Sequence, residues 1–327
     1  MIISRTPTRV SLLGGSTDYR EFYLKNGGIV IGGAINLYSY LSVRSLLPFH
    51  DFKSRVVYSE IETVQSNKEI KHRAIRAVLE HLQIEDGVEI FHSSDLPSRS
   101  GTGSSSSFIV GLLHALSSLK GNHLFAHELL RRSLEIEQES MGECVGSQDH
   151  CFASYGGFNV IRFRKTGEIN VSPVEIGGAA LRNLEAHLLL LHTGISRSAS
   201  DVARSYVSTL GERSEPWELL RLAEQGIDAV YKNDYERLGK LIDQSWMIKR
   251  GLSPEVSSKY IDDLYLAGRV CGAWGGKLIG AGKGGCLVFV APPEKHRNIV
   301  AELKLVPIPF QFDHDGSRVI FMDRKSC

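Results

Sequence analysis

The sequence predicts an α+β fold in which short β-branched strands and amphipathic helices interleave along 327 residues. Three observations carry that expectation. Strand-like runs rich in Ile, Val and Tyr open the chain at residues 2–14 and 28–47. Helical periodicity then takes over in blocks, first at 68–83 and again from Ser104. Strand-type runs return at Leu188–His192 and 276–291, so the two kinds of element alternate. The length allows two domains.

Taken in order, residues 2–14 form a strand broken at Pro7, because proline gives no N–H to a ladder. The strand ends at Gly14-Gly15 and the polar turn Ser16-Thr17-Asp18. Residues 28–47 (GIVIGGAINLYSYLSVRSLL) read as two strands with a bend at Gly32-Gly33, and 55–61 as another strand. Over 68–83, Ile70, Ala74, Ala77, Val78 and Leu82 share one face of a helix; Gly87 closes it, and GVEIFHS at 87–93 is a strand. The helix from Ser104 carries Phe108, Leu112 and Leu116 at every fourth position with Ile109 and Leu113 alongside. It is apolar almost all round, the pattern of deep burial. A second helix covers 123–141, and a short third one holds Asp149 near its start and ends at Gly156-Gly157. Residues 158–164 and 169–174 form a hairpin around Lys165-Thr166-Gly167. Helices follow at 196–210, 215–232, 234–249 and 255–272. A glycine-rich turn and strand at 276–291 stop at Pro292-Pro293, and a helix runs from Glu294 to Leu305. The final stretch reads as a hairpin turning at Asp315-Gly316. The strand Leu188–His192 opens the second half, which sets a boundary near residue 182 and gives units 1–182 and 183–327.

Composition narrows the function. With 38 basic and 37 acidic residues and no basic block, nucleic acid is not the expected partner. Hydrophobic residues make up 42% of the chain without a run of membrane-span length, so no membrane partner is expected either. The start, MIISRTPTRV, has no signal-peptide core, which points to a cytoplasmic protein. Cys144, Cys151, Cys271, Cys286 and Cys327 are scattered without a CxxC pair, the usage of reduced thiols and not of a zinc site.

The stretch Leu96–Leu119 joins a proline turn, Gly101 and Gly103, and Ser104-Ser105-Ser106-Ser107 directly to the apolar helix. Such a loop gathers unpaired backbone N–H groups and the positive end of the helix dipole. That is an anion site and equally the cap of a core helix; the stretch alone leaves both readings open. Gly280-Ala281-Gly282-Lys283-Gly284-Gly285 has the letters of a dinucleotide fingerprint, but it leads into the strand Cys286–Val290 where the fingerprint must open a helix. Lys283 is not followed by Ser or Thr, so this is no Walker A motif. What remains is a glycine bend that either lets backbone approach a ligand or simply turns the chain. Of Glu135, Glu137 and Glu139, only Glu137 shares the stripe of Leu130, Leu134 and Met141. A carboxylate on a buried face must be paired or bind a cation. With a hydroxyl from Ser104 or Ser105 the ligand set is all oxygen, which suits Mg2+; pairing with Arg or Lys is the alternative. Asp149, Arg9 and Asp18 each have an ordinary reading as turn or surface-pair residues. His192 reads as a hydrogen-bonded core histidine, and no Ser-His-Asp arrangement can be assigned.

Together these stretches resemble the GHMP kinase superfamily, named for galactokinase, homoserine kinase, mevalonate kinase and phosphomevalonate kinase. Its three motifs occur in order: Pro7-Thr8-Arg9 through Asp18-Tyr19, Leu96-Pro97 through Ser107, and Lys277 through Gly285. Gly146-Ser147-Gln148-Asp149, Tyr155 through Asn159, Thr193 through Ala199 and Trp246 through Arg250 resemble its heptose-7-phosphate kinase branch. Kinases of that branch phosphorylate the anomeric hydroxyl of D-glycero-D-manno-heptose 7-phosphate.

The resemblance implies a two-domain fold: an N-terminal domain like ribosomal protein S5 domain 2 and a ferredoxin-like C-terminal domain, with the site between them. It implies ATP as cofactor, its phosphates wrapped by Pro97, Ser100, Gly101, Thr102, Gly103, Ser104, Ser105 and Ser106, with Ser104 or Ser105 and Glu137 holding Mg2+. Asp149 matches the catalytic aspartate that accepts or orients the acceptor hydroxyl, and Arg9 the basic residue near the transferred phosphate. Asp18, with Ser16, Thr17, Gly146, Thr193 and Gly282, falls on the sugar side. Two departures stand out: Lys283 where the family commonly has a small residue, which either places a charge near the substrate or points to solvent, and Gly15-Ser16 where galactokinases have Glu-His, which counts against galactose. Arg197, Lys249 and Arg250 are either a sugar-phosphate pocket or ordinary surface charges. The expected partner is a small sugar phosphate, and the expected state a monomer or homodimer. The competing readings are a kinase for another sugar, fucose-like or amino sugar, and a non-catalytic sugar or nucleotide sensor.

Overall fold

The computed structural model describes residues 1–98, 100–195 and 199–323, with the side chain of residue 199 excluded. The first half contains β1 (Ile2–Leu13), α1 (Arg20–Asn26), β2 (Gly28–Ser45), β3 (Ser54–Val57), β4 (Ile61–Val64), α2 (Arg73–His81), β5 (Val88–Ser94), α3 (Ser104–Leu119) and α4 (Ala126–Leu134). A π-helical turn, Glu135–Ser140, continues α4 without a break; α5 (Gln148–Tyr155), β6 (Phe158–Phe163) and β7 (Ile169–Pro173) follow. The second half contains α6 (Gly178–His187), β8 (Leu188–His192), α7 (Ala199–Arg204), α8 (Glu215–Tyr231), α9 (Tyr235–Gly251), α10 (Lys259–Val270), β9 (Gly275–Leu278), β10 (Cys286–Val290), α11 (Pro293–Leu303), β11 (Val306–Pro307) and β12 (Arg318–Met322).

Two sheets organise these elements into the expected two-domain α+β architecture. The larger runs β12-β1-β2-β5-β3-β4, with β6 branching from β2 and carrying β7; only the β3/β5 pair is parallel. The smaller runs β11-β8-β10-β9 and is antiparallel throughout. Helix α3 packs on β1 and β2, and its Ile109, Val110, Leu112, Leu113 and Leu116 are fully buried, as its all-round apolarity requires. On the other side, Leu12 and Leu13 of β1 join Leu190, Val288, Leu222 and Leu238 in one continuous core between the sheets.

Several expectations need correction. Pro7 does not break β1; the strand continues and absorbs the proline as a register shift between Pro7 and Thr8. Residues 28–47 are not two strands bent at Gly32-Gly33 but the single strand β2, which pairs with β6 through Gly28–Gly33 and with β5 through Ser39–Ser45. Its glycines serve close packing: a Cβ on Gly32 would lie 2.6 Å from the Val10 carbonyl oxygen, and one on Gly33 2.3 Å from the Phe312 ring. The end of the chain is not a hairpin. β11 stays with the second sheet, whereas β12 crosses back to cover the edge of β1, aligning Ile2 with Met322 and Arg5 with Arg318. Residue 182 lies inside α6, and β12 belongs to the sheet of the first half. The sequence reading missed α1 and α6, which are short and bury few residues.

The packing at Gly33 makes a prediction. Gly33→Val should lower the denaturant midpoint by the equivalent of about 1–3 kcal/mol, the cost of overpacking a closed core. An unchanged midpoint in urea unfolding would mean that the Phe312 contact yields freely.

Candidate active site

The C-terminal half of β1, the loop before α3, the π-helical turn, α5, α9 and the turn between β9 and β10 converge on one cleft of about 320 Å3. Two of these segments interlock backbone to backbone. Gly280 and Gly101 approach so closely that a Cβ on Gly280 would lie 2.9 Å from Gly101 Cα, and one on Gly285 would lie 2.4 Å from the Ser100 carbonyl oxygen. The φ angles of Gly101 (78°), Gly103 (76°), Gly280 (83°) and Gly285 (104°) are all positive, so these positions need glycine twice over. The glycine bend thus clamps the serine loop.

That loop delivers the first N–H groups of α3 to the cleft with no intrahelical acceptors. Ser104, Ser105 and Ser106 line the cleft, whereas Ser100 and Thr102 face inward and bond each other at 2.7 Å. Pro97 is exposed at the loop's start.

Arg9 is the hub. It is 4% exposed, and its Nε and Nη2 donate to Asp149 Oδ1 and Oδ2, both at 2.8 Å. Its Nη1 donates to the Gly101 carbonyl, and its backbone N–H to the Thr102 carbonyl at 2.9 Å. Asp149 sits in the first turn of α5, beside Gly103, where a Cβ would lie 3.1 Å from Asp149 Oδ2. Arg9 thus fixes a carboxylate against the start of α3, bidentately and with both oxygens directed.

Glu137 is 1% exposed and takes three donors: Ser105 Oγ at 2.6 Å, Ser106 Oγ at 3.0 Å and His150 Nε2 at 2.6 Å. Burial raises its pKa, but the His150 contact and the two serines outweigh it and hold the carboxyl below the usual range, so it is ionised. Glu135 and Glu139 lie outward on Arg131 and Arg20, as the stripe predicted. A donating serine hydroxyl keeps its lone pairs, so an ionised carboxylate flanked by hydroxyls at a helix N-terminus is an all-oxygen donor set that fits Mg2+ completed by phosphate and water.

On the opposite wall Asp18 is fully buried, accepting from the Ser16 N–H at 3.1 Å and the Gln148 N–H at 3.3 Å. Burial pushes its pKa up, the Asp149 charge adds to this, and the backbone donors partly oppose it. Gly146 has to be glycine here, since a Cβ would lie 2.0 Å from Asp18 Oδ2. Around Asp18, Ser11 Oγ, Ser16 Oγ and Gln148 Oε1 are buried, line the cleft and have no hydrogen-bond partner among the described residues. Buried polar atoms of this kind await a ligand or water. Lys249 donates to the Gly280 carbonyl at 2.5 Å, and Lys277 to the Leu12 carbonyl at 3.0 Å. Both are buried, and among the described residues neither has a carboxylate within ion-pair distance. Burial, with Arg9 adding, pulls Lys249 down to about 8 against Asp18 and Asp149; burial, Lys249 and Arg9 push Lys277 further down.

Other expected site residues lie elsewhere. Thr17 donates to the Gly14 and Ile29 carbonyls and Thr193 to the Gly285 carbonyl, so both hydroxyls brace backbone. Lys283 pairs with Glu255 and Arg250 with Asp262, outside the cleft; Gly282 does line it. Arg197 lies outside the described residues. Sequence reasoning missed Ser11, Gln148, His150 and Lys277. Lys277 did carry a signal, as a lone cation in an otherwise buried strand; the others depend on long-range packing.

Two family models match the chain: the GHMP kinases N terminal domain over residues 69–157 and the GHMP kinases C terminal domain over residues 227–305. A D-glycero-alpha-D-manno-heptose 7-phosphate kinase of Campylobacter jejuni is 28% identical over 315 residues, 93% of each chain. A mevalonate kinase of Aeropyrum pernix is 32% identical over 206 residues, 61% of this chain and 59% of that one. A D-glycero-D-manno-heptose 1-phosphate kinase from Bacteroides thetaiotaomicron has the same fold, with a TM-score of 0.80, 22% identity and coverage of 99% and 100%. So does a Campylobacter jejuni putative sugar kinase, with a TM-score of 0.73, 24% identity and 97% coverage of each chain.

The buried cations set a pH dependence. Lys249 is at about 8 in the folded protein against 10.5 for an ordinary lysine, so holding it charged costs stability at neutral pH, by roughly 3 kcal/mol. That cost disappears as pH rises from about 8 through 10.5. Lys249→Met should therefore gain stability relative to the parent at pH 7 and lose that advantage by pH 10, measured by urea unfolding. A pH-independent difference contradicts the buried-cation account.

Proposed function

The chain belongs to the GHMP kinase family, and on that premise we propose that it transfers the γ-phosphoryl group of ATP to the anomeric hydroxyl of D-glycero-D-manno-heptose 7-phosphate, giving the 1,7-bisphosphate. The observation that carries the proposal is Asp149, held bidentately by buried Arg9 beside the N-terminus of α3. An oriented carboxylate next to a built anion site is what an acceptor hydroxyl needs for in-line attack on a bound phosphoryl group. The choice of acceptor is supported by the Campylobacter relative and by the hydrogen-bonding wall around Asp18.

In this reading the loop from Ser100 to Ser106 and the first turn of α3 hold the ATP phosphates through backbone N–H groups. Glu137 and Ser105, with Ser104 adjacent, would hold Mg2+, which when bound neutralises phosphate charge. Asp18, Ser11, Ser16 and Gln148 read the sugar hydroxyls. The acceptor oxygen attacks the γ-phosphorus as its proton passes to an Asp149 carboxylate oxygen, and the bond to the β-phosphate bridging oxygen breaks to release ADP. Arg9 keeps Asp149 aimed and supplies positive charge beside the transferring group. Lys249 and Lys277 lack carboxylate partners among the described residues and make the same cleft favourable for phosphate. A hemiacetal hydroxyl is more acidic than an ordinary alcohol and asks less of the base. The intact set of Asp149, Glu137 and Ser105 favours catalysis over a silent sensor.

Asp149→Asn keeps the size of the side chain and removes the proton acceptor. It should reduce kcat by about 10²–10⁴-fold with ATP affinity little changed; unchanged turnover contradicts the assignment. ADP release assayed across heptose 7-phosphate, free heptose, fucose and galactose should be fastest with the heptose phosphate. Equal rates with unphosphorylated sugars would transfer the proposal to another sugar.

A further inference from the structure

Consecutive residues of α5 face the two halves of the proposed reaction: Asp149 bonds Arg9 on the acceptor side, and His150 bonds Glu137 on the metal side. His150 is fully buried and has defined partners on both ring nitrogens, Glu137 Oε2 at 2.6 Å on Nε2 and Ser133 Oγ at 2.9 Å on Nδ1. Ser105 and Ser106 donate to the same carboxyl group, and a carboxylate only accepts, which assigns Nε2 as the donor of the His150 contact. The Ser133 hydroxyl has one proton, which it donates to Nδ1 or to the Leu130 carbonyl 3.1 Å away. Glu137 itself lies on the π-helical turn Glu135–Ser140, an irregularity frequent at functional sites.

We infer that His150 is the positioning residue of the metal site. Its Nε2 bonds Oε2, the oxygen that also accepts from Ser106, and so fixes the rotation of the Glu137 carboxylate, with Oε1 on the Ser105 hydroxyl at the cleft wall. Partners of this kind, which bond a ligand's far side, orient it and set metal affinity. The inference rests on the kinase reading above. It adds that α5 couples the two sites: one short helix sets the acceptor base and the metal carboxylate through neighbouring side chains, so a shift of its first turn disturbs both.

The test is binding of Mn2+, as a spectroscopic stand-in for Mg2+, to the protein with a non-hydrolysable ATP analogue, followed by electron paramagnetic resonance. Glu137→Gln, His150→Leu, His150→Gln and Ser133→Ala are compared, with folding checked by circular dichroism. His150→Leu keeps bulk but removes the donor and should weaken Mn2+ by about 10–100-fold. His150→Gln places an amide N–H near Nε2 and should recover most of that loss, which a purely structural role does not predict. If His150→Leu does not fold, Ser133→Ala, which frees the ring, should still weaken Mn2+ in the same direction. Weak binding by Glu137→Gln together with normal binding by the folded His150 or Ser133 variants overturns the positioning role and leaves the kinase reading standing. Normal binding by Glu137→Gln overturns the metal site, and the inference falls with it.

Discussion

One buried guanidinium holds this site together. Arg9 comes from a strand, and its partners come from a loop and a helix far away in sequence: Gly101 and Thr102 before α3, and Asp149 in α5. A charge with 4% exposure persists only if its donors are met, and Arg9 meets them with a carboxylate and a backbone carbonyl. Any movement of the serine loop away from β1 therefore leaves Arg9 Nη1 and the Arg9 backbone N–H without their carbonyl acceptors. The glycine bend after β9 closes the arrangement from the other sheet, because Gly280 and Gly285 touch the same loop residues. The cleft is fixed by charge on one side and by backbone contact on the other.

Electrostatics and stability oppose each other here. Asp18 is buried with its pKa raised, and Lys249 and Lys277 are buried with theirs lowered. Ser11, Ser16 and Gln148 present polar atoms to the same space that have no partner among the described residues. Each is unfavourable for an empty protein and favourable once a charged, hydroxyl-rich ligand arrives. The core behind them, Leu12, Leu13, Val288 and Leu238, spans both sheets and offsets these local costs. The return of β12 to β1 adds to the same effect, tying the end of the chain to the strand that carries Arg9.

Much of this was legible in the sequence because it is local. The apolar period of α3, the stripe that singles out Glu137 and the glycine bend leading into β10 can each be read within a window of a few residues. Other features are products of long-range packing. Pro7 looks like a break until β2 is seen to absorb it as a bulge, and Gly32-Gly33 look like a bend until the Val10 backbone and the Phe312 ring are seen to fill their space. Lys283 carries the same charge as Lys277, yet one meets Glu255 outside the cleft and the other Leu12 inside it. Composition has no access to that difference. His150 was hidden because it follows Asp149 directly, and its role depends on Glu137 and Ser133 across a helix pair.

The central claim is that this cleft moves a phosphoryl group onto an anomeric oxygen. The most direct measurement is phosphorus NMR of a mixture of the protein, ATP, Mg2+ and D-glycero-D-manno-heptose 7-phosphate. The account predicts a new phosphate resonance coupled to the anomeric proton, growing in step with ADP while the original sugar phosphate signal persists. Release of inorganic phosphate with ADP and no new sugar-linked signal would contradict it.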